Sequence, residues 1–261
     1  MKRRIRIGMQ GVHRFIRTLY CVFLNIGYRL DLLSVSRIPV IINNFNRLTY
    51  LRELIQALES RGITNIVIID NQSSYPPLLA YYKICPYKIV RLPANYGHLA
   101  LWKSGVYSQY RWNYFVYTDP DVVPVEQCPS DFLAVFKTLL DKNYKLDKIG
   151  FGIKIDDLPD RFALKERVVR YESGYWEKEV APGLYNAPID TTFALYKPFS
   201  RLKAGEIYTL QSWRTGYPYL IRHLPWYIDS SQISQEDQYY LDTCNGSSTI
   251  AKEVLGKEKI Y

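Results

Sequence analysis

Two carboxylates, Asp119 and Asp121, stand one residue apart at the end of an apolar run. The run at 114–118 is aromatic and β-branched, which is typical of a strand buried in a parallel sheet. Pro120 fixes φ and lacks a backbone donor, so the strand should end there. Open α/β sheets bind ligands at this carboxyl end. Two hard oxygen donors so spaced can share Mg²⁺ or Mn²⁺ and leave places for substrate phosphates. A polar turn after a strand is the alternative.

The chain around this motif alternates between strands and helices. Buried strands are predicted at 38–42, 65–70 and 89–92, with helices at 48–58 and from 98 through 106. A polar loop is expected at 43–47, and Pro76 and Pro77 are expected to block an early helix after the second strand. Strands at 149–155 and 187–196 and helices at 132–140 and from 234 follow. Alternation of this kind indicates an α/β fold with a doubly wound, mostly parallel sheet.

Charge is unevenly distributed along the 261 residues. The net charge is +9, and residues 1–30 contribute seven basic side chains and no acid, which leaves about +2 for the rest. A nearly balanced domain with a basic arm argues against a nucleic-acid surface. The four cysteines lie far apart without a CxxC pair, so neither a zinc site nor a disulfide framework is indicated.

The basic arm, residues 1–34, has the periodicity of an amphipathic helix. Its apolar residues recur every three or four positions: Ile5, Met9, Val12, Ile16, Leu19, Phe23 and Ile26. The apolar stretch is too short and too charged to span a bilayer. It predicts an interfacial anchor on anionic lipid, and hence a cytoplasmic protein that is peripheral on the inner face of the cell membrane. A helix packed on its own domain or on a partner subunit is the alternative.

Four segments in register resemble the GT-A fold of family 2-like nucleotide-sugar glycosyltransferases. They are the strand at 40–42 followed by Asn46 and Arg47, the strand ending at Asp70, the loop Asn95-Tyr96-Gly97-His98, and Asp119-Pro120-Asp121. The resemblance implies a Rossmann-like nucleotide-binding half at 35–124, an acceptor-binding half at 125–250 and a tail at 251–261. The family usually has Pro-Thr or Pro-Ala where this chain has Asn43-Asn44.

The resemblance also implies the ligands and their binding residues. The donor is a nucleoside-diphosphate sugar, with a UDP-sugar favoured, and the cofactor is Mn²⁺ or Mg²⁺. Late histidines complete the cation shell in many such enzymes, which makes His223 a third metal ligand beside Asp119 and Asp121. Arg222 could pair with a phosphate. The candidate donor-binding residues are Asn44, Asn46, Arg47, Asp70, Asn95, Gly97, His98, Asp119 and Arg222.

Three carboxylates are candidates for the catalytic base. Asp190 opens a predicted strand among apolar neighbours, where partial burial could raise its pKa to a useful value. Asp237 belongs to a Glu-Asp pair like that of family 2 enzymes, but it comes after His223 where the family has it before, so a helix cap at Ser234 is preferred. Glu172, among aromatic residues, ranks third.

Taken together, these features predict a metal-dependent hexosyltransferase that acts on a glycan or lipid-linked acceptor in surface polysaccharide synthesis. Two other classes stay open. A nucleotidyltransferase also uses a parallel sheet and paired acids, although it usually carries a Gly-rich basic loop after its first strand. A non-enzymatic, membrane-associated carbohydrate-binding protein would bind glycan without nucleotide or cation.

Overall fold

The computed structural model describes residues 2–202 and 207–244, and side chains from residue 12 onward. The predicted tail at 251–261, the last residues of the acceptor half and the side chains of Ile5 and Met9 lie outside the described residues. The helices are α1 (Lys2–Arg29), α2 (Thr49–Glu59), α3 (Pro76–Tyr82), α4 (Ala100–Lys103), α5 (Tyr107–Tyr110), α6 (Phe132–Lys142), α7 (Lys165–Ser173) and α8 (Gln235–Thr243).

Ten strands of the described residues form one sheet. They are β1 (Val40–Asn44), β2 (Ile66–Asp70), β3 (Lys88–Arg91), β4 (Phe115–Thr118), β5 (Val122–Pro124), β6 (Lys148–Ile153), β7 (Glu179–Ala181), β8 (Leu184–Tyr185), β9 (Ala194–Tyr196) and β10 (Ser212–His223). The order is β3-β2-β1-β4-β9-β6-β10-β8-β7, and β5 pairs with β10 off this path. Strands β1 to β4 run parallel, as do β6 and β10, while β9 runs antiparallel between β4 and β6.

Both faces of the sheet are buried. Val40 and Ile42 of β1 point into one apolar cluster, with α2 and α6, while Ile41 points into a second, with α4. Because neighbouring strand residues face opposite sides, a strand of continuous apolar residues needs cover on both. The predicted fold class, an α/β fold with a mostly parallel doubly wound sheet, is confirmed.

Several predicted boundaries were wrong. Asn43 and Asn44 extend β1 instead of opening the loop. Helix α3 begins at Pro76. The N–H groups of the first helical turn have no hydrogen-bond partner within the helix, so the N–H that proline lacks is not missed there. The helix predicted from 98 to 106 is a 3₁₀ turn at Gly97–Leu99 followed by the short α4, which ends before Gly105 at φ +81°; α5 begins after this glycine. The strand predicted at 187–196 is only β9, so residues 187–193 form a loop.

Helix α1 lies against the domain, although its predicted apolar stripe faces outward. No helix in the described part of the chain has the length and apolarity needed to cross a bilayer. The division of the domain into halves near residue 124 stays a prediction.

Candidate active site

The carboxyl ends of β1, β2 and β4 meet at one edge of the sheet, as parallel pairing requires. Asp119 follows β4 at this edge. Its backbone N–H donates to the Thr191 carbonyl at 3.0 Å, and the Thr191 hydroxyl donates to its Oδ2 at 2.5 Å. The loop before β9 therefore holds Asp119 in place.

Asp121 and His223 face each other beside Asp119. Strand β5 pairs antiparallel with the end of β10, with Val122 opposite His223. This register places Asp121 Oδ2 3.7 Å from His223 Nε2. The ring of Trp226 packs on the imidazole with 4.6 Å between centroids. Asp121 Oδ1 and His223 Nδ1 are both buried and accept or donate no hydrogen bond among the described residues.

Negative charge is concentrated at this edge. Burial raises the pKa of Asp119 well above its usual range, and the charges of Asp121 and Asp190 raise it further, against hydrogen bonds from Thr191 and Asn43. Carboxylates forced together in this way favour a bound cation or a shared proton. The structure thus brings Asp121 close to both Asp119 and His223, but the three side chains do not form the complete three-ligand metal site that the sequence predicts.

The donor set fits a hard divalent cation that keeps open positions. Asp121 offers a carboxylate oxygen and His223 a ring nitrogen, and both carry buried, unpartnered atoms. No group of three or more His, Cys, Asp or Glu side chains with metal-binding geometry occurs in the described segments. Protein ligands alone would therefore be few, which is usual where substrate phosphates and water complete the shell of Mg²⁺.

Asp190 lies in the 187–193 loop next to Thr191, which contacts Asp119. Its Oδ1 accepts the Thr192 backbone N–H at 3.0 Å. Asp190 is half-buried, and it is close enough to Asp119, His98 and Lys148 to influence the pKa of each.

Buried cations hold the Asp190 loop by its carbonyl groups. Lys148 Nζ, fully buried, donates to Ile189 O at 2.5 Å and to Asp190 O at 3.1 Å. Arg214 Nε donates to Pro188 O at 2.9 Å. Burial lowers the pKa of Lys148 to about 7, although the charge of Asp190 opposes this shift.

The other two candidate bases have strong partners elsewhere. Glu172 Oε2 accepts from Arg214 at 2.7 Å, and both side chains are buried. Asp237 pairs with Arg47, and Tyr50 donates to it at 3.3 Å. Its backbone N–H donates to Ser234 Oγ at 3.0 Å, which is the predicted helix cap. A carboxylate that balances a buried guanidinium is poorly suited to collect a proton from an acceptor.

The residues predicted for the donor lie along the same edge, and several have structural partners. Asn44 donates to the Tyr82 hydroxyl, and Asn46 Oδ1 accepts the N–H groups of Ser74 and Tyr75. Asp70 Oδ1 accepts the Ser73 N–H at 3.0 Å, which caps the loop after β2. These contacts shape the loops, and any role in donor binding stays a prediction.

The Asn95–His98 loop is held over β1 and β2. Gly97, at φ +67°, receives on its carbonyl the side-chain amides of Asn43 and Asn71, and its N–H donates to Asn95 Oδ1. Part of the His98 side chain is exposed to solvent. Desolvation of the rest, and to a smaller extent the charge of Lys103, lower the pKa of His98. The Arg222 guanidinium forms an ion pair with Asp157. It would therefore have to leave or share this partner before it could bind a phosphate.

Little in the amino-acid pattern points to a structural role at the site for Thr191, Asn43 or Lys148. A threonine before a strand is common, and Asn43 was expected in a loop. Lys148 precedes the apolar run of β6, where a lysine normally marks the solvent end of a strand. One signal was available for Lys148. It comes just before Gly150 and Gly152, two glycines that allow another backbone segment to approach this strand closely.

The segments after β1, β2 and β4 that carry the resemblance meet at one edge of this sheet, whose strand order here is β3-β2-β1-β4. The fold is GT-A-like. No protein-family model matches the sequence. No curated protein matches it either.

Solved structures with a similar fold include three proteins. GalNAc-T7 with UDP, GalNAc and Mn²⁺ has a TM-score of 0.46 at 11% identity, over 71% of this chain and 43% of that one. Glucosyl-3-phosphoglycerate synthase from Mycobacterium tuberculosis with Mn²⁺ and UDP-glucose has a TM-score of 0.35 at 15% identity, over 61% and 56%. A cytidylyltransferase from Leptospira borgpetersenii has a TM-score of 0.32 at 15% identity, over 54% and 72%. The chain spans about half the length of the first two.

Proposed function

We propose that this protein is a metal-dependent glycosyltransferase that moves a sugar from a nucleoside-diphosphate donor, a UDP-sugar, to a glycan or lipid-linked acceptor. The observation that carries the proposal is the Asp121–His223 pair beside Asp119 at the carboxyl edge of the sheet. A role in surface polysaccharide synthesis, on the inner face of the cell membrane, belongs to the same proposal.

Asp121 and His223, with Asp119 beside them, are the residues that would hold Mn²⁺ or Mg²⁺. When bound, the cation supplies charge stabilisation to a diphosphate as the glycosidic bond breaks. Thr191 orients Asp119 by hydrogen bonding to its Oδ2. The Asn95–Gly97 loop and Asp70 border the side where a nucleoside would lie.

Asp190 is the favoured base. In an inverting transfer it would accept the proton of the acceptor hydroxyl as that oxygen bonds to the sugar carbon and the diphosphate leaves. Lys148 and Arg214 donate hydrogen bonds to the carbonyl groups of residues 188–190, and these bonds fix the loop that carries the Asp190 carboxylate. Glu172 and Asp237 are already paired with arginines, which supports the choice.

A nucleotidyltransferase is the second candidate function. It would place a basic, glycine-rich loop after the first strand, near a nucleoside triphosphate. Here Asn43 and Asn44 continue β1, and Arg47 is paired with Asp237 of α8. This arrangement favours the diphosphate-sugar donor.

A binding and product assay tests the proposal. UDP, GDP, CDP and dTDP are screened by thermal shift with and without Mn²⁺, and UDP-sugars are then incubated with the protein. UDP should raise Tm only with the cation, and UDP should be released from a UDP-sugar. Release of pyrophosphate from a nucleoside triphosphate and a sugar phosphate would instead identify a nucleotidyltransferase. Glycan binding with no nucleotide or cation effect would identify the binding protein.

A further inference from the structure

Helix α1 docks on the domain through its polar side. The Arg17 guanidinium, 5% exposed, pairs with Asp147 and donates to Leu146 O. Other bonds join Tyr20 Oη to Trp112 O at 2.8 Å, Tyr28 Oη to Asn113 Oδ1 at 2.9 Å, and Lys137 Nζ to Asn25 Oδ1 at 2.6 Å. Buried Cys21 lies on the same side. A helix held by a buried ion pair and several hydrogen bonds is a fixed part of the domain.

The opposite side of α1 is apolar and exposed. We call it the outer face, and it consists of Val12, Phe15, Ile16, Leu19, Val22, Phe23 and Ile26. Each residue advances about 100° around an α-helix, so Leu19 lies about 200° from Arg17. Leu19 is 54% exposed and Phe23 is 70% exposed. A contiguous apolar surface of this kind marks an interaction site.

The docked helix lies at the sheet edge opposite the candidate active site. Trp112 and Asn113 come just before β4, and Leu146 and Asp147 just before β6, so α1 contacts the amino ends of these parallel strands. The Tyr20 ring also packs on Phe199, which follows antiparallel β9 at the same edge. Asp119 and His223 lie at the carboxyl ends, a strand length of roughly 15 Å away.

The basic charge of α1 indicates which kind of partner the outer face contacts. The first 30 residues carry seven basic side chains and no acid, and only Arg17 is neutralised by Asp147 within the described residues 12–30. Arg29 is exposed at the end of the helix. Two copies joined through this helix would bring two such arms together, which like charge opposes. Anionic lipid complements them, and an amphipathic helix buries its apolar face by about 5–10 Å in a membrane surface.

We infer that α1 seats the domain on an anionic membrane through its outer face, with the catalytic edge turned toward water. This inference deepens the membrane location given under the proposed function, and it rests on that function for the identification of the catalytic edge. The docked helix therefore fixes an orientation, which a flexible tether would not.

Vesicle binding tests the surface. Full-length protein is sedimented with vesicles of phosphatidylcholine alone or with phosphatidylserine, and compared with a Leu19→Glu, Phe23→Glu variant. The matched control is Ile84→Glu, which alters an exposed apolar residue, 80% accessible, that follows α3 and is not part of the outer face. The double variant should lose at least tenfold in binding to anionic vesicles, and the control should bind like the wild type. Equal binding by all three would overturn the inference, as would a wild-type dimer that the double variant abolishes.

Energy transfer to a lipid dye tests the orientation. A donor dye is placed at Lys145→Cys near the α1 edge or at Asp156→Cys beyond β6, with Cys85 and Cys244 replaced by serine. Transfer should be stronger from position 145. Equal or reversed transfer would reject the orientation. UDP binding with Mn²⁺ is measured on the same proteins, so a failed catalytic assignment is recognised independently of the vesicle result.

Discussion

The Asp121 carboxylate lies 3.7 Å from His223 Nε2 because β5 pairs antiparallel with the end of β10. The pairing brings together two possible cation ligands from distant parts of the chain.

Replacing this pair should abolish cation-dependent nucleotide binding. A ligand that binds only the folded state at 100 times its Kd adds about 2.7 kcal/mol to stability. We expect the Mn²⁺-UDP thermal shift to disappear in Asp121→Asn and in His223→Ala. Asp160→Asn removes an exposed acid outside the site and serves as control. An unchanged shift in both site variants would remove the metal assignment.

Asp190→Asn should uncouple transfer from donor binding. We expect Mn²⁺-UDP affinity to persist while the transfer rate falls roughly 10²-fold or more, the scale for loss of a general base. Product stereochemistry provides the companion measurement. Retention of configuration would make Asp190 an acceptor-binding residue instead.

Asp237→Asn should show the opposite behaviour. Removing one partner of a buried ion pair costs about 3–5 kcal/mol, so the free energy of unfolding in urea should fall while the activity per folded molecule persists. A stable but inactive Asp237→Asn protein would return the catalytic role to the Glu-Asp pair.

Gly150 and Gly174 provide a matched test of packing beneath the site. A Cβ at Gly150 would lie 2.3 Å from the Phe193 carbonyl oxygen, whereas at Gly174 nothing lies within 4 Å. Overpacking typically costs about 1–3 kcal/mol. Gly150→Ala should lower the free energy of unfolding by at least that amount, and Gly174→Ala should leave it nearly unchanged. Equal effects would contradict the close approach of β6 and β9.

Lys148 should make stability depend on pH. Burial lowers its pKa from 10.5 to about 7, so above pH 7 the unfolded chain binds the proton more strongly than the folded protein does. The resulting penalty is full below pH 7 and is relieved as pH rises toward 10.5. Relative to Lys148→Met, the wild-type free energy of unfolding should rise by up to about 1.4 kcal/mol per pH unit across this range. A constant difference would contradict the lowered pKa.

Local sequence was sufficient for β1 to β4 and β6 and for the place of Asp119 and Asp121, because runs of buried β-branched residues and a proline stop act over a few neighbours, but it did not predict β5, β7, β8 or β10. It failed where distant segments meet. Strand β5 is three residues long and exists by pairing with β10, which no local pattern reveals. The partners of Glu172 and Asp237 are also remote in sequence, so their arginine pairing could not be predicted.

The same dependence on remote partners applied to the loop after β1. Asn46 and Arg47 were predicted as donor contacts from their order in the chain. In the folded protein Asn46 holds the loop after β2, and Arg47 holds α8. Sequence placed these residues near the site, but only the fold shows which of their atoms are already used.

The fastening of α8 has a consequence for synthesis on the ribosome. Glu236 accepts the backbone N–H groups of Leu48 and Thr49 at 3.0 Å, so the start of α2 receives its capping carboxylate from a residue 187 positions later than Thr49. Contacts so far apart in the chain form late. The nascent amino-terminal half should therefore leave the ribosomal tunnel before Glu236 can cap the start of α2. A product truncated before α8 should lack these hydrogen bonds altogether.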